Sequence, residues 1–203
     1  MTESIKRTLR DSAPMRWLVL VLVSGLIFST YWFQDFLSGL KPLMESTMGI
    51  SSSDFGTLIG MTTIANVFGM IIVGGIILDR WGIRLTAIIF GTVAALGGVI
   101  MALGANGVFS QNAGSKLTVM IIGRVIFGIG LETTCVLINR TVVKWFKGYE
   151  LALAMAINMG FGRLGTALGT AVSPDIAGSS APKAITFAAF LIALGAIFFF
   201  IYL

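Results

Sequence analysis

The sequence predicts an all-α membrane protein with six transmembrane helices. Three observations predict it. Of 203 residues, 56% are hydrophobic and only 11% are charged, whereas soluble domains carry about 25% charged residues. Six stretches reach the ~20 mostly apolar residues that a span requires. The segments between them are short and hold the Gly, Pro, Asn, Asp and Ser that turn a chain.

The elements follow in order. KRTLRDSAPMRW leads into LVLVLVSGLIF, the charge pattern of a secretory leader. The apolar run continues through STYWFQDFLSGL without a small-x-small cleavage site, so it reads as a first span at roughly 17–39 behind a cytoplasmic segment 1–16. After KPLMESTMGISS, Ser51 and Asp54 form a capping-box pattern that opens a second span at roughly 54–78. DRWGIR turns the chain into a third at roughly 85–104, and ANGVFSQNAGSK into a fourth at roughly 117–143. KWFKGY precedes a fifth at roughly 150–172. Pro174 and Pro182 bracket the turn to a sixth at roughly 184–203. Twenty-five glycines suit closely packed transmembrane helices.

Basic residues set the orientation. With the N-terminus in the cytoplasm, the inner segments hold Lys6, Arg7, Arg10, Arg16, Arg80, Arg84, Arg140, Lys144 and Lys147. The outer loops hold Lys41, Lys116 and Lys183. The net charge of +5 therefore speaks to topology and not to nucleic acid. One cysteine, Cys135, and no histidine exclude a disulfide framework and a His/Cys metal cluster. No metal or cofactor is expected. With no nucleophile beside a plausible base, an enzyme is not expected either. The sixth span runs to FFFIYL without a basic flank, so a further half of the protein is expected beyond it.

Charges inside spans cost about 2.5–3.5 kcal/mol each and normally face a bundle interior or cavity. Glu132 and Arg163 fall near the middle of consecutive spans. Arg124 lies two turns from Glu132, with Gly128 between them on a slowly drifting face. Asn66 lies mid-span in the second helix. Phe28, Tyr31, Trp32 and Asp35 share one face of the first. The third and sixth spans hold no interior charge, so four helices are expected to line a polar cavity with two outside. Glu132 and Arg163 are expected to pair with each other at rest, directly or through water. Trp32 also suits an interfacial aromatic belt, and Asn66 suits interhelical glue.

GGIILDRWGIRLT carries Gly75, Asp79, Arg80, Gly82 and Arg84 and resembles the loop signature of the major facilitator superfamily, Gly-x-x-x-Asp-Arg-x-Gly-x-Arg. It departs at Ile83, where the family often has a second basic residue. GRVIFGIG, with Arg124, Gly128 and Gly130, resembles the fourth-helix pattern Arg-x-x-x-Gly-x-Gly. RLGTALGTA, with Gly165 and Gly169, resembles the Gly-rich antiporter motif, but Thr166 stands where that motif has proline. LETTCVLINRTVVKWFKGYELALAMAINMGFGRLG is similar to the lysosomal dipeptide transporter branch and its bacterial relatives.

The resemblance implies the N-terminal six-helix bundle (17–203) of a twelve-helix fold, whose other half lies outside this chain. It implies that Gly75, Asp79, Arg80, Gly82 and Arg84 form a cytoplasmic latch. It implies that Glu132 and Arg163 hold the amino and carboxyl ends of a dipeptide, with Arg124 in substrate or proton handling. Residue chemistry points the same way, since a zwitterion needs one anion and one cation in a dry cavity.

The expected function is carriage of a small zwitterion, dipeptides first, by alternating access. Glu132, Arg163, Arg124, Tyr31, Trp32 and Asn66 are the candidate substrate contacts. Asp35 and Glu132 are the candidate proton-coupling carboxylates. Two alternatives stay open: a carrier for a small organic or inorganic anion held by Arg124 and Arg163, and a non-transporting receptor or scaffold with a carrier-like fold. The expected partners are the solute, protons, the bilayer and the second half of the protein. The expected location is a bacterial cytoplasmic membrane.

Overall fold

The computed structural model describes residues 12–203; Lys6, Arg7 and Arg10 lie outside the described residues. Helix α1 (Ala13–Asp35) carries Pro14 in its first turn, where a missing N–H interrupts no bond. It tightens into a 3-10 helix, Phe36–Leu40, and continues as α2 (Lys41–Met48), which ends on Gly49 at φ +65°. KPLMESTM is thus helical where a loop was expected. Pro42 sits in the first turn of α2, and the Ser46 and Thr47 hydroxyls donate to the Leu43 carbonyl. The apolar pass therefore extends over Ala13–Met48.

The capping box forms as predicted. Asp54 N donates to Ser51 Oγ at 3.1 Å, and Ser51 N to Asp54 Oδ2 at 3.3 Å, opening α3 (Ser52–Gly60). The second span is not continuous, however. After α3 comes one turn, α4 (Ile64–Val67), then Gly69 at φ +75°, and only then α5 (Met70–Ala105). Gly60, Thr62, Thr63 and Gly69 are all weak helix formers, and Gly69 adopts the left-handed conformation that glycine reaches without steric cost.

Although α5 is assigned as one helix of 36 residues, Gly82 (φ 74°, ψ 174°) breaks it. Its partners on α6 (Ala113–Trp145) show what this break does. Gly74 meets Thr133 and Asp79 meets Arg140, so numbers rise together and leg 70–81 runs parallel to α6. Gly104 meets Val119, Met101 meets Gly123, Gly97 meets Phe127 and Ala94 meets Gly130, so leg 83–105 runs antiparallel. DRWGIR is a hairpin turn made at Gly82. Five helices are long and apolar enough to span a membrane. With α5 divided at Gly82 and its first leg joined to α3 and α4, they make six passes among the described residues.

Helix α7 (Tyr149–Ala177) runs parallel to α1, through Arg16–Glu150, Ser24–Asn158 and Trp32–Gly169. Helix α8 (Ala181–Tyr202) runs antiparallel to α1, through Gly25–Phe198 and Ser29–Gly195, and packs on leg 83–105. Pro174 does not bracket the turn; it lies inside the last turns of α7, and the turn is only Gly178–Ser180. Proline cannot bond the carbonyl four residues back. That carbonyl, of Thr170, abuts Gly39, where a methyl would overlap it.

Two apolar clusters fill the bundle. One centres on Phe33, Phe36, Phe127 and Ile192, the other on Leu20, Val23, Leu78 and Ile138 nearer the end that carries Arg16 and Arg140. Cys135 borders the first and Tyr31 the second, which brings the polar residues between them at mid-span.

Candidate functional site

A cavity of about 130 Å3 opens at mid-span, lined by Ile27, Tyr31, Cys135, Asn139, Met159, Gly162 and Arg163. Three passes build it: α1, α6 and α7. Close approach of α1 and α7 is possible because the buried stripe of α7 is made of small residues, Ala154, Asn158, Gly162, Gly165, Gly169 and Ser173. A methyl at Gly165 would overlap the Phe28 carbonyl, and Gly169 abuts Trp32. The glycines of the antiporter-like motif thus act here as a seat for α1.

The candidate residues divide into groups. Tyr31 and Arg163 line the cavity. Tyr31 shares the cavity wall with Cys135 and lies within electrostatic range of Arg163, Asp35 and Glu132. Glu132 is 9% exposed. Three and seven residues further along α6 are Cys135 and Asn139, so all three fall within about 60° on one face. Among the described residues no ion pair joins Glu132 to Arg163 within 4.0 Å, and Glu132 has no hydrogen-bond partner. The resting pair expected from sequence is not formed in this conformation. Arg163 lines the cavity, whereas Glu132 is buried beside it and is not itself a lining residue.

Arg124 is not at the cavity. It is fully buried, donating from Nη1 to the Phe33 carbonyl at 2.7 Å and from Nη2 to the Gln34 carbonyl at 2.9 Å, with its guanidinium 5.7 Å from the Phe33 ring centroid. These carbonyls lie where α1 tightens into the 3-10 helix, so Arg124 ties α6 to the irregular part of the first pass. Trp32 is also core. It packs against Gly169 and lies 5.9 Å from the Phe187 ring. Asn66 is exposed on α4, within the interrupted stretch of the second pass, and does not line the cavity. The expected fourth wall is therefore absent from this cavity, although span two does cross α6 one turn beyond Glu132.

Asp35 accepts a 2.6 Å hydrogen bond from Thr166. The residue standing in place of the motif's proline thus holds the carboxylate of the first pass. At the Arg140 end, Asp79 pairs with Arg140, a partner the loop signature did not name. Ile83 packs into the neighbouring apolar cluster. Gly82 makes the turn, whereas Gly75 faces open space. Sequence reasoning missed Ile27, Cys135, Asn139, Met159 and Gly162 as lining residues. The spacing of Cys135 and Asn139 from Glu132 was the available signal. Two larger hollows, of about 340 and 390 Å3, lie at the two ends of the bundle, away from the mid-span charges.

Fold and site together define a polytopic helical membrane protein with a charged mid-membrane cavity. The chain belongs to the Major Facilitator Superfamily, whose description matches residues 12–203. The lysosomal dipeptide transporters MFSD1 of Danio rerio and Homo sapiens are each 34% identical over 152 residues, or 74% of this chain and 31% of theirs. A hexuronate transporter of Bacillus subtilis (strain 168) is 26% identical over 172 residues, covering 83% of this chain and 36% of its own. The chain thus spans about a third of the length of these relatives. The inward-open xylose transporter XylE from E. coli superposes with a TM-score of 0.71 at 19% identity, covering 92% of this chain and 46% of that one, a likeness of fold.

Proposed function

We propose that the chain is the first six-helix half of a carrier that moves a small zwitterion, dipeptides first, by alternating access against a second half. One observation carries this: Arg163 lines a mid-span cavity while Glu132, on the same face of α6 as lining residues Cys135 and Asn139, stays unpaired. An unpaired charge in a low-dielectric interior is costly. A ligand bringing one ammonium and one carboxylate supplies both missing partners. Arg163 has a planar fork suited to bidentate carboxylate binding, and Tyr31 lines the same cavity. The 34% identity to proteins named dipeptide transporters supports the same cargo.

The cavity is smaller than the ~300–1,000 Å3 of a complete small-molecule site, in keeping with one wall of a site closed by the other half. Gly75, Asp79, Arg80, Gly82 and Arg84 form the latch of that closure at the cytoplasmic end, with Asp79 held by Arg140 in this conformation. Asp35, held by Thr166, and Glu132 are the proton-coupling candidates. The Lys and Arg distribution favours the N-terminus inside, and a bacterial cytoplasmic membrane is the location we propose.

The test is thermal unfolding of the complete purified protein against dipeptides, their N-acetylated and amidated forms, free amino acids, sugars and simple anions. Ligand at a hundred times its dissociation constant adds about 2.7 kcal/mol of stability. We expect dipeptides to stabilise and the capped forms not to; equal stabilisation by capped forms defeats the proposal. The hexuronate-transporter relative favours a second reading, a carboxylate ligand held by Arg163 without Arg124. Stabilisation by sugar acids or acetate, which lack an amine, selects it.

A further inference from the structure

The interrupted centre of the second pass lies against α6 in a way the cavity does not reveal. A methyl on Gly128 would overlap the Thr62 carbonyl oxygen, so backbone of the interruption rests directly on α6. Gly128 is one turn, about 6 Å along the axis, from Glu132, and within about 40° of it around the helix. On the other side of Glu132, Thr133 packs against Gly74 of the same pass. Glu132 therefore sits between two points where the second pass touches α6. The Thr62 side chain is 2% exposed, and its hydroxyl has no hydrogen-bond partner. Glu132 and the Thr62 hydroxyl are thus both buried and unpartnered, and the Thr62 backbone rests on α6 one turn from Glu132.

The chemistry of the expected ligand fits this pair. An ammonium carries three N–H donors and no acceptor. A carboxylate on one side leaves at least one donor to be met elsewhere, and an unmet donor in a dry seam is costly. We propose that Thr62 completes the ammonium site begun by Glu132, its hydroxyl oxygen accepting an N–H of the solute's amino group. Gly128 holds the interrupted segment close enough for it to do so. This rests on the zwitterion reading above and adds to it a determinant of amine substitution: the site selects a primary ammonium over N-methylated forms. The backbone at membrane depth is left irregular where it serves a ligand, the setting in which such interruptions are tolerated.

The experiment measures binding of alanyl-alanine and N-methyl-alanyl-alanine to the complete purified protein, as wild type, Thr62→Val and Thr62→Ser. Ligand-free unfolding of each variant reports its fold. In the wild type, the methyl group is expected to weaken binding about tenfold, the cost of one lost charge-assisted hydrogen bond. In Thr62→Val, the unmodified dipeptide should weaken about tenfold while the methyl penalty falls to within about twofold. Thr62→Ser should restore both. If Thr62→Val does not fold, Thr62→Ala is read in its place. A methyl penalty unchanged by Thr62→Val or Thr62→Ala overturns the inference while leaving the zwitterion reading intact. Wild-type indifference to dipeptides overturns that reading itself.

Discussion

Two arginines on adjacent passes meet opposite fates. Around Arg124 every neighbour is committed: the side chain is fully buried, its two terminal nitrogens hold the Phe33 and Gln34 carbonyls, and the Phe33 ring lies alongside. Around Arg163 little is committed. The residue is exposed on α7, borders a cavity and has no ion pair among the described residues. Similar insertion costs apply to both, so cost alone does not mark a binding residue. What distinguishes them is whether the surrounding backbone already offers acceptors. The tightened turn of α1 does so for Arg124, whereas the regular α7 offers none to Arg163.

Breaking the committed region should have the largest effect. Arg124→Ala removes the donors that tie α6 to the Phe33 and Gln34 carbonyls, empties a fully buried site and should cost about 3 kcal/mol or more, seen as a large fall in thermal midpoint. Arg163→Ala should stay within about 0.5 kcal/mol of wild type without ligand yet lose dipeptide-induced stabilisation. If both arginines destabilise equally, the contrast fails. Next comes Gly130→Val, which forces a side chain into the Ala94 backbone and should cost about 1–3 kcal/mol in the same assay.

Thr166→Val tests the boundary between the regions. It removes the hydrogen bond to Asp35, with an expected loss of about 1 kcal/mol in thermal unfolding. Gly75→Ala should raise stability by about 0.5–1 kcal/mol, because its site is open and helical. Lost transport in that stabler protein would place Gly75 in the latch. Asp79→Asn should change stability by less than about 1 kcal/mol, since its pair with Arg140 is half-exposed. A larger loss would make that pair structural.

Much of this was readable in the residues. Apolar length gave six passes, the capping box of Ser51 and Asp54 formed, and the loop signature put a glycine at the turn, Gly82. The interruption of the second pass was not readable, because the Leu, Ile, Met, Val and Phe around Thr62, Thr63 and Asn66 keep the stretch apolar enough on average to continue a hydrophobic run. Pro174 misled for a related reason: a helix near its end tolerates one missing bond when a neighbour such as Gly39 makes room for the freed carbonyl. Mid-span placement of Glu132 and Arg163 followed from counting along the chain. The commitment of Arg124 did not, since it depends on carbonyls ninety residues away in sequence.

The one-residue turn at Gly82 has a mechanical consequence. With no loop to take up slack, leg 70–81 cannot slide along its axis without giving up the contact of Gly74 with Thr133 and the pair of Asp79 with Arg140 on α6. Pivoting about the turn is the motion left to it. Gly69 lies 13 residues from that pivot, about 20 Å along a helix. A tilt of about 5° at Gly82 then moves the far end of the leg by about 1.7 Å, the difference between a hydrogen bond made and one broken. The leg is a lever with its fulcrum at one face of the membrane and its working end at the centre.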